Sequence, residues 1–197
     1  MKKILTFFLF SLIFISNTSI SFSIESEVFI QSTVNRAADT LSSNLSKEER
    51  IEELKQIARD TVDIDGIGLY SLGSHRKDLN KNQLSDYKRV FEQYFLKSFS
   101  SRLAEYSNPE IEVISKNKIN ENYTIVLSKL VGTDTRPEVK IEWRVYTKNF
   151  DNLLIRDLII EGLSLARTQK EEFNSIINSN NGNIEALLEN LINFSSV

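Results

Sequence analysis

Val139-Lys140-Ile141-Glu142-Trp143-Arg144-Val145-Tyr146 sets apolar side chains at every second position for eight residues. That period puts Val139, Ile141, Trp143 and Val145 on one side of an extended strand and the charged residues on the other. Upstream, Tyr123, Ile125 and Leu127 alternate with Thr124, Val126 and Ser128, and Glu110 to Ser115 reads as a strand before them. Downstream, Asn149-Phe150-Asp151-Asn152 is a turn into a fourth strand, Leu153 to Ile160. Four successive strands with short links predict an antiparallel meander whose apolar face must rest on something.

The flanks supply it, because the period changes to three and four on both sides. Ile30, Val34, Ala37, Leu41 and Leu45 form one helical stripe. Ser46-Lys47-Glu48-Glu49 is a capping box that opens a second helix, buried through Ile51, Leu54, Ile57, Ala58 and Val62. Asp65 to Leu72 is a short third helix stopped at Gly73, and Asn80 with Gln83 caps a long fourth one. Along that helix Leu84, Tyr87, Phe91, Tyr94, Phe95, Phe99, Leu103 and Tyr106 share a side, and Pro109 ends it. After Gly162 come Leu165, Phe173, Ile176 and Ile177, then Asn181-Gly182 and a last helix with Ile184, Leu187, Leu188 and Leu191. The expectation is an α+β fold, a four-stranded antiparallel curved sheet packed with N-terminal and C-terminal helices.

Met1-Lys2-Lys3, an apolar run from Ile4 to Ile15 and the small residues Ser21 and Ser23 have the three parts of a cleavable secretion signal. About twelve apolar residues fall short of the roughly twenty that span a bilayer. A signal over residues 1–23 leaves one domain, 24–197: a mainly helical part to 107, the sheet over 108–162 and C-terminal helices over 163–197. Losing Lys2 and Lys3 takes the formal charge from −3 to −5, a balance that argues against nucleic acid. Cysteine is absent, so neither a lipoprotein tether nor a disulfide framework is available. The bare Lys-Lys start fits a bacterial periplasm.

No catalytic constellation stands out. The one histidine, His75, lies in the polar segment Ser74-His75-Arg76-Lys77-Asp78, with no partners for a zinc site or a triad. Asp63-Ile64-Asp65-Gly66 fails as a calcium loop, since Thr61 and Leu72 occupy its first and last ligand positions. Glu171-Glu172 reads as a solvated helix side. No metal, no cofactor and no catalytic residue is expected. The surplus is apolar and aromatic, and a sheet covered by helices can leave an apolar cavity.

Three segments resemble the MlaC, or toluene-tolerance, family of periplasmic phospholipid carriers. They are Val62 to Gly73, ending in Leu-Gly; Asn80 to Leu103, with Gln83, Tyr87, Phe91, Phe95, Phe99 and Leu103 in register; and Asp157-Leu158-Ile159-Ile160-Glu161-Gly162-Leu163-Ser164. The chain departs from the family at Ser74-His75-Arg76, where an aromatic is usual, and at Asn152-Leu153-Leu154, where a tryptophan commonly opens the last strand. The resemblance implies an NTF2-like cone with phospholipid as bound ligand. It also implies transfer between an outer-membrane lipoprotein complex and an inner-membrane ABC transporter with an MCE-domain protein. On this reading Phe91, Phe95, Phe99, Ile125, Leu127, Ile141, Trp143 and Val145 line the lipid cavity. Arg76 and Lys77, the densest basic loop, are the candidate partner contact. Asp157, Glu161 and Ser164 hold the last strand to the next helix, Ser164 as N-cap. The competing reading is a periplasmic NTF2-like enzyme for a small apolar substrate, using Tyr123, Asp157 and Glu161.

Overall fold

Reciprocal caps fix where two of the N-terminal helices begin. Ser46 Oγ accepts from Glu49 N at 3.2 Å while Glu49 Oε2 accepts from Ser46 N at 2.9 Å. Asn80 Oδ1 accepts from Asn82 N and Gln83 N, and Gln83 Oε1 accepts from Asn80 N at 3.1 Å. Each box satisfies amides that the first helical turn leaves without partners. In the computed structural model, which describes residues 25–106, 108–149 and 151–196, helix α2 therefore runs Lys47–Thr61 and α4 Lys81–Leu103. The expected secretion signal lies outside the described residues. Helix α1 spans Ser26–Ser42 and α3 spans Ile64–Ser71, the latter capped by Asp63 Oδ1 on Gly66 N. Leu45 and Tyr106, expected on the helical stripes, lie past the ends of α1 and α4 and are exposed.

The sheet is open and antiparallel, in the order β1 (Ile111–Asn120), β2 (Tyr123–Leu130), β3 (Val139–Tyr146), β4 (Leu154–Ile160), β5 (Leu163–Ser164). With α5 (Leu165–Ser179) and α6 (Ile184–Ser196) the fold is α+β, with five strands in place of four. The extra strand comes from a two-residue hairpin: Ile160 pairs with Leu163, and the turn residues Glu161 and Gly162 both have positive φ, 49° and 83°. Such turns match the strand twist and favour glycine at the second position. Strand β1 runs five residues beyond the expected end at Ser115, bulged twice. Its outer half, Lys116 to Asn120, is exposed and lacks alternation, so periodicity does not reveal it.

One core cluster draws on α1 through α6 and on β2, β3 and β4. Helix α1 packs on β1 and β2, α5 on α3 and β4, and α4 on α2, α3 and α6. At the centre Phe91 meets Phe173 edge-on, with ring centroids 6.1 Å apart. Tyr87 donates from its buried hydroxyl to Gly68 O at 2.8 Å, and burial pushes its phenol well above the usual range. A Cβ on Gly68 would sit 2.7 Å from Phe91 Cδ1, so the close α3–α4 approach requires glycine there. Gly68→Ala gains about 1 kcal/mol of helix propensity, but the overpacking costs about 1–3 kcal/mol. Urea unfolding should accordingly show a net loss of stability, and an unchanged or raised midpoint would contradict this packing.

Candidate functional site

Strand register decides which side chains meet the helices. Val126 faces Trp143, Ser128 faces Ile141 and Thr124 faces Val145, and residues directly opposed in an antiparallel pair share a sheet face. This inward face holds Thr124, Val126, Ser128, Leu130, Ile141 and Val145, all buried. Trp143 on the same face is half-buried, as is its neighbour Leu158 on β4. The Trp143 indole donates from Nε1 to Ser128 Oγ at 2.8 Å, the partner that a shielded indole N–H needs. Thr124, Val126 and Ser128 are short, and all three are covered.

From the helical side, α4 presents Phe91, Phe95 and Phe99 at four-residue spacing. Phe95 and Phe99 stack at 5.8 Å with planes 8° apart. Phe91 is closed into the core, 2% exposed, beside Tyr87 and Phe173. Phe95, Phe99 and Trp143 border the same core but remain half-buried. The structure thus places Phe91 and Val145 in one core cluster that Phe95, Phe99 and Trp143 border, and Ile141 on the same sheet face as Trp143 and Val145.

It does not bring Ile125 and Leu127 to them. Ile125 pairs with Arg144 and Leu127 with Glu142, so both lie on the outer face. The expectation that they share an inward face with Ile141, Trp143 and Val145 fails for a geometric reason. Both strands alternate cleanly, and β2 carries apolar residues on both faces, so composition alone picks the wrong one. Arg76 and Lys77 lie in a 3₁₀ turn, Gly73–Lys77, and not in a loose loop. Both are exposed, with Arg76 Nη1 donating to Leu69 O at 3.3 Å.

The Asp157-to-Ser164 segment forms a built junction. Asp157 is 4% exposed and accepts from Ser164 Oγ at 2.7 Å and from Ala166 N at 3.0 Å. Ser164 Oγ in turn accepts from Arg167 N, capping α5, and Glu161 Oε1 accepts from Lys140 N. Sequence reasoning missed Arg156. A bulge sets both Arg156 and Asp157 against Arg144. Arg156 donates to Asp63 Oδ2 at 2.6 Å and to the Tyr123 hydroxyl at 2.8 Å, and its guanidinium lies 3.7 Å from the centre of the Tyr146 ring. Its signal was two charged residues in succession between the apolar runs Leu153 to Ile155 and Leu158 to Ile160, a break that a bulge accommodates. Tyr123, Asp157 and Glu161, the residues an enzyme reading would use, are thus each engaged in structural contacts. Among the described residues no three His, Cys, Asp or Glu side chains gather where a metal could sit. None of the described helices is long and apolar enough to cross a membrane.

Fold and site define an α+β protein in which a helical half covers one face of an open antiparallel sheet and leaves aromatic surface partly open beside the core. A family model described as MlaC protein matches residues 31–193. The chain belongs to the MlaC family. The solved structure of a phospholipid-binding protein from Ralstonia solanacearum, in complex with a phospholipid, shares the fold with a TM-score of 0.74. It is 16% identical and covers 88% of this chain and 98% of its own. No curated protein matches the chain in sequence.

Replacing Asp157 by alanine leaves the Ser164 and Ala166 donors unpaired in a buried site, a cost of about 1–3 kcal/mol. Denaturant unfolding should show that loss, and Asp157→Asn, which keeps one acceptor, should lose less. Equal stability of Asp157→Ala and the parent would remove the junction from the account.

Proposed function

We propose that this chain is a soluble periplasmic carrier that holds phospholipid acyl chains between α4 and the inward face of the sheet. The observation that carries it is that Phe95, Phe99 and Trp143 each border a closed core and stay half-buried, in a chain of the MlaC family. Its fold is that of a protein solved with a phospholipid bound. Roughly thirty acyl methylenes at about 0.8 kcal/mol each would cost roughly 25 kcal/mol if left in water. A carrier shields them and leaves the charged headgroup near solvent, where hydration is retained. Handing the lipid to a partner with a similar cavity is then close to neutral, so no bond need break. On this reading the chain is exported by its N-terminal signal. It exchanges lipid with an outer-membrane lipoprotein complex and with an inner-membrane ABC transporter bearing an MCE-domain protein.

Trp143 is the only tryptophan in the chain, so its emission reports on the cavity directly. Phospholipid brominated along its acyl chains should quench that emission on uptake from vesicles, and gently purified protein should carry about one phospholipid per chain. Ser128→Leu removes the indole's hydrogen-bond partner and adds bulk beside Trp143, and should reduce uptake severalfold in protein that remains folded. Bare protein that takes up no lipid would sink the carrier reading.

Docking at two membranes calls for modest, electrostatically guided contacts, and Arg76 with Lys77 offers such a contact on a net acidic chain. Charge reversal to Arg76→Glu and Lys77→Glu should leave bound lipid unchanged and slow delivery to membranes bearing the transporter. Raising salt should shrink the difference as screening removes the steering. Equal delivery rates at low salt would rule this turn out.

A further inference from the structure

We propose that the outer face of the sheet carries a second ligand site, a groove that takes a single-chain anionic amphiphile with a carboxylate or phosphate head. The groove has a volume of about 600 Å³ and lies between that face, α3, the 3₁₀ turn and the start of α5. This size falls within the range of small-molecule sites. Its aliphatic lining is Leu69, Ile119, Ile125, Ile159 and Ala166, with Tyr70 and Tyr123 beside them. Ile125 and Ile159 face away from the core because they pair with Arg144 and Glu142 on β3, whose charged side chains stand between the two. Isoleucine on an outer face gains nothing from the core, so these side chains are apolar surface that a ligand can cover.

The charged groups around it are unequal in what they can still bind. Glu142 is paired with Lys140 Nζ at 2.6 Å, and Asp157 is filled by Ser164 and Ala166. Arg156 is held by Asp63, Tyr123 and the Tyr146 ring. The Arg144 side chain makes no hydrogen bond among the described residues and only a long ion pair, 3.8 Å, to Asp157 Oδ2. Arg76 makes only the 3.3 Å contact to Leu69 O. Two guanidiniums therefore retain forked donors at the groove, a geometry suited to a carboxylate or phosphate. With so few apolar residues lining it, the groove has room for one acyl chain and a second would remain in water, so the site selects one chain. The sheet itself separates this groove from the inward face, and the two ligands do not compete. The assignment rests on the groove's own geometry, and only the phospholipid arms of its test rest on the carrier reading.

The test uses the full mature chain already loaded with phospholipid, titrated with a dansyl-labelled undecanoate. Saturable binding with no release of phospholipid is the expected result. Unlabelled laurate and lysophosphatidate, as separate competitors, report whether a carboxylate or a phosphate head is preferred. Arg144→Glu should weaken binding about tenfold or more, and Arg144→Lys should weaken it less. Ile125→Glu should abolish it, with the circular dichroism and the phospholipid content of each variant unchanged. A brominated fatty acid should leave Trp143 emission intact where brominated phospholipid quenches it. Quenching of Trp143 by the fatty acid, or probe release by added phospholipid, would place the probe in the inward cavity and overturn the proposal. Binding indifferent to both substitutions would overturn it too. So would absence of binding by either amphiphile; if Arg144→Glu then slowed delivery to membranes, the groove would belong to an acidic segment of a protein partner.

Discussion

Everything on this sheet follows from pairing β2 with β3 so that Val126 meets Trp143 and Ile125 meets Arg144. A slip of one residue would send Ile125 and Leu127 into the core and turn Val126 and the buried Ser128 outward. The helices hold the register by demanding what the inward face offers. The fully buried Val126 and Val145 join the cluster that contains Ile30, Val34, Phe91 and Phe173. The Trp143–Ser128 hydrogen bond adds a polar pin to it, since the indole N–H has its acceptor on the facing strand. Register therefore settles at once where the core sits and which side chains each face presents.

The second constraint is the bulge at Arg156 and Asp157. By setting two consecutive side chains toward the same face, it lets one strand serve two tasks. Asp157 ties β4 to the cap of α5, and Arg156 ties it to Asp63, the cap of α3. Backbone contact reinforces the second tie, because Asp63 N donates to Ile155 O at 2.9 Å. The helical half is thus fastened to β4 through two helix N-termini, whereas among the described residues α4 has no comparable tie to the sheet. An aromatic strip on α4 can then stand partly open without loosening the rest of the fold.

Elements with a strong period were legible from sequence: both capping boxes, the α4 stripe, the alternation of β2 and β3, and the Ser164 cap. What was not legible depends on long-range pairing. The outer half of β1 is polar on both sides, so nothing in its residues announces a strand. The inward face of β2 was misassigned because Ile125 and Leu127 look better buried than Thr124 and Ser128. Tertiary context reversed that preference: the hydroxyl of Ser128 is satisfied by Trp143, whereas Ile125 stays on the outer face. Phe91 shows the same limit from the helix side. Its spacing matches Phe95 and Phe99, yet Gly68 on α3 draws it into a closed core, and no reading of α4 alone contains that contact.

The short residues on β2 follow from the same logic. Native cores are close-packed, and a face of large aliphatics would bury more area and stabilise the fold further. Thr124 and Ser128 on the most buried strand forgo that gain. A buried hydroxyl is tolerable only when hydrogen-bonded, and the one at Ser128 is met by a side chain that is itself half-buried. An arrangement selected for stability alone would close Trp143 over the core and dispense with the hydroxyl. Here the indole is held at its edge by one directional bond while part of its surface stays open, so the ring is fixed in place whether or not anything lies against it. A preorganised apolar surface of this kind lowers the ordering cost of binding a flexible acyl chain, and on the proposed carrier reading that is the physical sense in which the fold would give up packing for a ligand.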